Sequence, residues 1–142
     1  MATFGYLYNW FAVSEKKGLC PAGWHVPADA EWTALIQFID PSLVANRIQS
    51  NVAGGKMKSI GSAYWNSPNT GATNSSGFSA LPGGYRHIRG NFVFIRNNAI
   101  FWSATENDDY NAWNRILNND AGIVYKGDGY KENGASVRCL KD

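Results

Sequence analysis

The clearest apolar pattern in the chain is helical and begins near Asp29. Four large apolar residues occupy positions i, i+3, i+4 and i+7, which lie on one face of a helix; these are Trp32, Leu35, Ile36 and Ile39. Asp29 and Glu31 fall in the first turn, where acidic side chains interact favourably with the helix dipole. Pro41 cannot continue a helix. The pattern therefore predicts a helix that starts near Asp29 and stops before Pro41.

A weaker helical pattern follows directly. Ser42 is a residue type that caps helix N-termini, and Leu43, Val44 and Ile48 are spaced to face inward. The glycine pair at 54–55 ends this region. The pattern predicts a second, shorter helix.

The remaining regular segments are rich in β-branched and aromatic residues, which favours strands. The predicted strands are residues 4–13, 78–86 (interrupted by Pro82-Gly83-Gly84), 91–96, 99–106, 112–117, 122–126 and 135–140, with a turn at Asn97-Asn98. Residues 61–77 are too polar and too rich in turn residues for regular structure. The sequence thus predicts one α+β domain over residues 1–142, with two helices, a small mixed or antiparallel sheet and long loops.

Composition limits the kinds of partner. A chain of 142 residues can bury a single core of ordinary size. The net charge is only +2, whereas nucleic-acid binding requires a concentrated basic face. The most basic short run, Lys56-Met57-Lys58, is expected to be a solvated loop. No nucleic-acid partner is therefore expected.

Membrane insertion is not expected either, since no run approaches the ~18 apolar residues that a transmembrane helix needs. The first residues, 1–4, lack the basic and apolar regions of a signal peptide. Either the protein is not secreted by that route, or the chain is a piece excised from a longer one.

The two cysteines leave two alternatives open. Cys20 and Cys139 are either buried free thiols or a disulfide that closes a very long loop. Together with His25 and His87 they form no closely spaced ligand pairs, so no zinc site is predicted. Calcium would need six to eight oxygen ligands. Glu106, Asp108, Asp109 and Asp120 are candidates for these ligands, but solvated acids are the favoured interpretation, and no metal or other cofactor is expected.

Enzymatic chemistry has little support in the sequence. Ser103, His25 and Asp40 could be named as a triad, but neither their spacing nor any motif supports one. His25, next to Trp24, is interpreted as a structural hydrogen-bonding residue. The chain is expected to be non-catalytic.

Several long blocks resemble a known family. In order they are "GYLYNWFAV", "LCPAGWHVPADAEWTAL", "AGGKMKS", "YWNSPNTGATNSSGFSALPGGYR", "FWSATE", "AWNR" and "SVRCLKD". They resemble the bacterial Fibrobacter-type major paralogous domain over nearly the whole chain. That family is similar to the C-type lectin-like fold of formylglycine-generating-enzyme-like proteins, whose "RLPTEAEW" element resembles "HVPADAEW" here.

The resemblance implies that the first and last strands pair, and that the helix following the first strand brings Cys20 close to Cys139. Those cysteines match structural positions, so no thiol remains as a nucleophile. One departure concerns Ala28, where the family often carries a serine that would form a capping box with Glu31. Asp29 is then expected to cap the helix instead.

Domains of this type also resemble the variable proteins of diversity-generating retroelements. In those systems the adenines of a template are copied with errors, so codons of the AAC type change at their adenines and encode other residues. Such changes never produce Lys, Glu, Gln, Met or Trp, and residues 107–130 contain only Trp113 and Lys126 from that set. The resemblance implies diversified, outward-pointing positions, which are Ile116, Asn118, Asp120, Ile123, Tyr125, Asp128 and Tyr130. The implied fixed positions are Trp113, Arg115, Leu117 and Val124. An ordinary Asn/Gly-rich loop region is the alternative interpretation.

Together these patterns indicate a binding module. Tyr, Asn, Ser and Gly on a rigid scaffold are typical of paratopes, whereas Trp24, Trp32, Trp65, Trp102 and Trp113 are expected to build the core. The predicted ligand-binding residues are Asn107, Asp108, Asp109, Tyr110, Asn114, Ile116, Asn118, Asp120, Ile123, Tyr125, Asp128 and Tyr130. The expected ligand is a protein or glycan on a cell surface, and the expected location is a phage tail or a bacterial surface, with oligomerisation left open. The alternative is a structural surface or lipoprotein module without a selected binding rim.

Overall fold

The structure is a computed structural model that describes residues 3–44 and 48–142. Its helices are α1 (Trp10–Val13), α2 (Asp29–Ile39) and α3 (Ala53–Met57). Its strands are β1 (Trp24–His25), β2 (Gln49–Ser50), β3 (Tyr85–Arg86), β4 (Phe92–Val93), β5 (Asn98–Glu106), β6 (Asn111–Asn118), β7 (Val124–Tyr130) and β8 (Leu140–Lys141). The predicted α+β class is confirmed.

The central element is an antiparallel sheet with the order β2-β7-β6-β5. Strand β5 would be an exposed edge, but Ser136 lies beside Phe101. The Trp102 amide donates to the Ser136 carbonyl and the Ser136 amide donates to the Ile100 carbonyl, each at 3.0 Å. Covering the edge in this way removes a site at which another chain could pair.

Helix α2 begins at Asp29 as its apolar period predicts, with Ala28 at the N-cap position. Glu31 retains its half of the capping box, since its Oε2 accepts from the Ala28 amide at 2.8 Å. Asp29 does not cap the helix. Its carboxylate instead binds the Arg115 guanidinium at 2.7 Å and the Lys126 ammonium at 2.8 Å. Burial alone would raise the pKa of Asp29, but the bonds from Lys126 and Arg115 keep it below its ordinary value.

The two faces of the central sheet pack against different cores. Ala99, Phe101, Leu117 and Val124 face α2 and α3 and join a cluster that includes Trp32. On the opposite face, a second cluster gathers around α1; it comprises Trp10, Val13, Val26, Ile100, Trp102, Ala112 and Ala135.

The tryptophans divide between core and surface. Trp32, Trp65 and Trp102 are fully buried as predicted, and each indole donates to a backbone carbonyl. Such a partner is what a buried indole needs. The expectation is wrong for Trp24, which is 45% exposed, because its short strand β1 pairs only with β8 at the surface.

The ends of the chain close against each other, as the resemblance implies. The pairs Trp24–Lys141 and His25–Leu140 join β1 to β8, and Tyr8 pairs with Ala135. Cys20 and Cys139 form a disulfide with Cα atoms 5.8 Å apart.

The strand predicted over residues 4–13 is wrong. Its second half forms α1, because the Asn9 side chain accepts from the Ala12 amide and starts a helical turn. Only Tyr8 makes a bridge typical of a strand.

Five further elements differ from their predictions. One is the last strand, expected over residues 135–140, of which only Leu140 joins β8. The helix predicted from Ser42 falls partly on residues 45–47, outside the described residues. Ser42 lies in a turn, and Val44 and Ile48 are exposed. The strands predicted over 78–86 and 91–96 shrink to the two-residue strands β3 and β4. Strands β5 and β6 match their predictions within one residue, whereas β7 begins two residues later and ends four residues later than expected.

The expectation of a solvated Lys56-Met57-Lys58 loop is also wrong. Lys56 and Met57 end α3, and Lys58 is completely buried. The Lys58 ammonium donates to the carbonyls of Thr70, Asn118 and Ala121, each at 2.9 Å, and lies 5.3 Å from the centre of the Trp65 ring. Since an ammonium has three N–H donors, every donor is used.

The disulfide should be a major source of stability. Replacing Cys20 and Cys139 together with alanine releases a loop spanning 119 residues, which should lower the free energy of unfolding by about 4–5 kcal/mol. Urea unfolding of the double variant beside the oxidised wild type measures the difference. Equal unfolding midpoints would show that β1–β8 pairing alone closes the fold.

Lys58 should make stability depend on pH. Burial lowers its pKa from 10.5 to about 8, opposed by the nearby Asp120 charge. Between about pH 8 and 10.5 the unfolded chain therefore binds more protons than the folded one, so the contribution of this group to stability rises with pH.

The test compares wild type with Lys58→Met, which leaves three carbonyls without donors at a cost of about 1–3 kcal/mol each. The deficit in unfolding free energy should grow from pH 8 to pH 10. A constant deficit would mean that the three carbonyls compensate fully for burial of the charge.

Candidate functional site

Several predicted binding residues meet on the side of the central sheet that faces away from α2. In the antiparallel register Ile116 lies opposite both Ile100 and Tyr125, and Asn114 lies opposite both Trp102 and Gly127. Cross-strand pairs share one face of a sheet. These side chains therefore form one continuous surface.

This surface contains a cleft of about 240 Å³, here called the sheet cleft. Its lining residues are Tyr85, Phe94, Asn98, Ile100, Trp102, Asn114, Ile116, Tyr125, Asp128, Gly129, Asn133 and Ala135. Since a water molecule takes up about 30 Å³ in the liquid, the sheet cleft has room for several.

Two glycines on β7 shape the floor of the cleft. A Cβ at Gly127 would lie 2.9 Å from both Asn114 Oδ1 and Ile116 Cδ1. A Cβ at Gly129 would lie 3.3 Å from Asn114 Nδ2 and 3.4 Å from the Trp102 ring. A side chain at either position would crowd the residues opposite, so the cleft depends on bare backbone here.

Asn114 has an unusual environment. It is only 3% exposed, and its Oδ1 has no hydrogen-bond partner among the described residues. The Oδ1 atom of Asn118, farther along β6, also lacks a partner among the described residues, although Asn118 as a whole is partly exposed. Buried polar atoms are nearly always paired, so a buried amide without a partner marks a position where a ligand atom could bind.

The outer wall comes from the chain around β3 and β4, which the sequence did not identify as part of a site. Phe94 is 54% exposed and its ring lies 6.1 Å from that of Tyr85. Its backbone φ is +58°, a conformation that is strained for a bulky side chain. Such strain is often found at functional positions. No pattern in the sequence signals it.

A second group of predicted residues lies at the turn between β5 and β6. Tyr110 and Tyr130 are exposed, and the Asn107 amide donates to the Asp128 carboxylate at 3.2 Å. Asp108 organises the turn, since it accepts from the backbone amides of Tyr110 and Asn111. Hydrogen bonds from the Asn111 side chain and the Tyr110 amide lower the pKa of Asp108. The Asp108 carboxylate therefore stabilises the turn through these hydrogen bonds. Asp109 is exposed beside it.

The last predicted residues lie at the far end of the sheet. Asp120 and Ile123 follow β6, whose eight residues separate them from Tyr110 by roughly 27 Å at about 3.4 Å per residue. Asp120 is close enough to Lys58 to affect its pKa. The twelve predicted residues thus form three groups rather than one rim.

The expected orientations hold only in part. Leu117 and Val124 are fully buried as predicted, but Asn114 is buried rather than exposed. Trp113 is only half-buried, because it lies near the end of the sheet where the Lys126 ammonium, 3.9 Å from its ring centre, covers one side.

The three residues considered for a catalytic triad make their hydrogen bonds to other partners. Ser103, His25 and Asp40 do not form a triad. The Ser103 hydroxyl accepts from the Thr105 amide, and Asp40 accepts from Ser42 and Ser50. His25 lies between Asp142 and Glu31, at 2.6 and 3.0 Å, and its hydrogen bonds to these two acids raise its pKa.

Over residues 3–44 and 48–142 no group of three or more metal-ligating side chains could hold an ion. Within the same part of the chain no helix has the length and apolarity needed to span a membrane.

Comparison with known proteins gives one match. No curated protein and no solved structure is significantly similar to the chain. The model of the Fibrobacter succinogenes major domain family matches residues 1–141. The chain therefore belongs to the Fibrobacter succinogenes major domain family.

Proposed function

We propose that this protein is a non-catalytic binding domain with a C-type lectin-like fold, and that its ligand contacts the sheet cleft and the adjacent β5–β6 turn. The observation that carries the proposal is the convergence of Asn114, Ile116 and Tyr125 in one cleft, where Ile116 and Tyr125 are cross-strand neighbours and Asn114 lies on the same face of β6. Their sequence neighbours Leu117 and Val124 are fully buried on the opposite face. The side of these strands that faces α2 thus maintains one core, while the part of the other side that the α1 cluster does not cover is available for contact.

The side chains around the cleft support recognition. Tyr110 and Tyr130 are 71% and 54% exposed, and Tyr125 is half-buried in the cleft lining. Tyrosine offers a large contact area at low entropic cost, and asparagine offers adaptable hydrogen bonds. The paired chain ends and the Cys20–Cys139 disulfide support the C-type lectin-like assignment, since both features were implied by that resemblance.

We further propose that seven positions are diversified, as in variable proteins of retroelements; these are Ile116, Asn118, Asp120, Ile123, Tyr125, Asp128 and Tyr130. The domain would be displayed on a phage tail or a bacterial surface. The scarcity of Lys, Glu, Gln, Met and Trp in residues 107–130 supports this. The decisive observation is genomic. A neighbouring reverse transcriptase gene should accompany a template repeat that differs from this coding region only at adenines. Differences at all four bases would contradict diversification.

A stability comparison tests whether the exposed side chains are free for ligand contact or instead contribute to the packing of the fold. A variant carrying Tyr110→Ser, Asp128→Ser and Tyr130→Ser should change the unfolding free energy by no more than about 0.5 kcal/mol per site. The control Leu117→Ala, on the buried face of the same sheet, should cost about 2–5 kcal/mol. Thermal melts measure both.

Binding is measured in parallel by screening wild type and the triple variant against bacterial cells, surface proteins and glycans. The triple variant should lose or change its binding profile. A variant as unstable as Leu117→Ala would show that these residues are packing, and a folded variant with an unchanged profile would favour a structural surface module.

A further inference from the structure

We propose that the sheet cleft binds one uncharged hydroxylated ring, the pyranose unit of a glycan, with Asn114 at the floor and Phe94 as a specificity-determining wall. This inference rests on the proposed binding function and names its ligand class. It also assigns a role to Phe94, which lies outside the stretch expected to vary.

The floor of the cleft requires a polar ligand. Asn114 is almost completely buried, and its Oδ1 is unpartnered among the described residues. A side-chain amide can both donate and accept hydrogen bonds. A sugar hydroxyl does the same, so one hydroxyl can satisfy this group.

Two more amides surround the same cleft. Asn98 lies on β5, and Asn133 holds the Ile88 amide through its Oδ1 at 3.0 Å, which leaves its NH2 group to donate elsewhere. Several hydroxyls of one ring could therefore bond at once.

The walls require an apolar surface on the same ligand. Phe94 and Tyr85 stand together with ring planes inclined by 37°, and Tyr125 lines the opposite strand. Such rings pack well against the C–H face of a pyranose, which is apolar although its edge is polar. A ligand with both properties fits the combination of aromatic walls and amide floor.

Charge argues against ionic ligands. The lining contains no Lys, Arg or His, and its single acid, Asp128, already accepts a bond from Asn107. A phosphate or carboxylate would find no positive partner.

At the β5 edge, topology argues against an extended peptide. Peptides that bind sheets usually add a strand at a free edge. The edge of β5 next to the cleft is already occupied, by Gly84 beside Ala99 and by Ser136 beside Phe101. A compact ring does not need that edge.

The test is an NMR titration of the full chain with methyl glycosides of neutral hexoses and N-acetylhexosamines. At least one glycoside should shift the Asn114 side-chain amide signals and receive saturation transfer from aromatic protons. Phe94→Gly should weaken binding by about tenfold, as expected when a central aromatic contact is lost. Glycine accepts a positive φ, so this variant should remain folded, which its amide spectrum verifies.

The matched control is Phe92→Ala. Phe92 lies two residues away and is 68% exposed, but it does not line the cleft. Its removal should leave the affinity unchanged. Gly129→Ala provides a second arm, because its methyl group would approach the Asn114 amide and make the floor shallower. It should weaken binding without altering Phe94.

Three outcomes would overturn the proposal: no glycoside shifts Asn114 at the highest soluble concentration, Phe94→Gly and Phe92→Ala have equal effects, or only peptide amides bind the cleft. The proposed function is tested separately. If the Tyr110, Asp128 and Tyr130 triple variant loses a protein ligand while no sugar binds, the domain is a binding module with another ligand class. If no ligand responds to cleft or turn variants, both proposals fail.

Discussion

The three hydrogen bonds from the buried Lys58 ammonium hold together the part of the molecule that has little regular structure. They join the end of α3 to Thr70 in the long loop, to Asn118 at the end of β6 and to Ala121 in the connection from β6 to β7. A buried cation without partners would be very unfavourable. Each of these loop carbonyls must therefore stay where it is, and the loop over residues 61–77 is held in place without a helix or strand of its own. Additional bonds, such as those from Thr70 to Asn119 and from Thr73 to Gly55, act on a scaffold already organised around this charge.

The hydrogen bonds of Lys58 also affect the sheet cleft, because they hold the connection between β6 and β7. The connection that Lys58 holds determines where β7 begins, and the register of β7 then places Tyr125 opposite Ile116 and Gly127 opposite Asn114. Because side chains alternate between faces, a shift of one residue would exchange the buried Val124 for Tyr125. Asn114, Ile116 and Tyr125 can thus line the cleft only while Leu117 and Val124 stay packed on the opposite face. The proposed binding surface can tolerate substitutions because packing on the opposite face of the sheet maintains the strand register.

The cleft forms because two positions on β7 carry no side chain and because a segment distant in sequence supplies one wall. Gly127 and Gly129 leave the floor open, whereas Phe94 and Tyr85 arrive from the β3–β4 region to form a wall. The strain of the left-handed Phe94 is maintained by its surroundings, since the amides of Asn97 and Asn98 both donate to the Phe94 carbonyl. The wall therefore belongs to the scaffold, and the residues on β6 and β7 supply the remainder of the cleft.

The sequence by itself determined the elements whose signals are local. The period of Trp32, Ile36 and Ile39 predicts α2 correctly, because an amphipathic helix carries its burial pattern in its own residues. The same holds for β5 and β6, and family resemblance was enough to place Cys20 close to Cys139. Only the tertiary structure decided the rest. Residues 4–13 have strand-like composition, yet their second half forms α1, where Trp10 and Val13 pack into the cluster with Trp102 and the Trp10 amide donates to the Lys131 carbonyl. Lys58 has the composition of a solvated loop but is buried, because its three partners lie 12, 60 and 63 residues away in the chain. Asn114 and Phe94 meet at the cleft for the same reason, since long-range packing, which no local pattern records, places a side chain beside its partners.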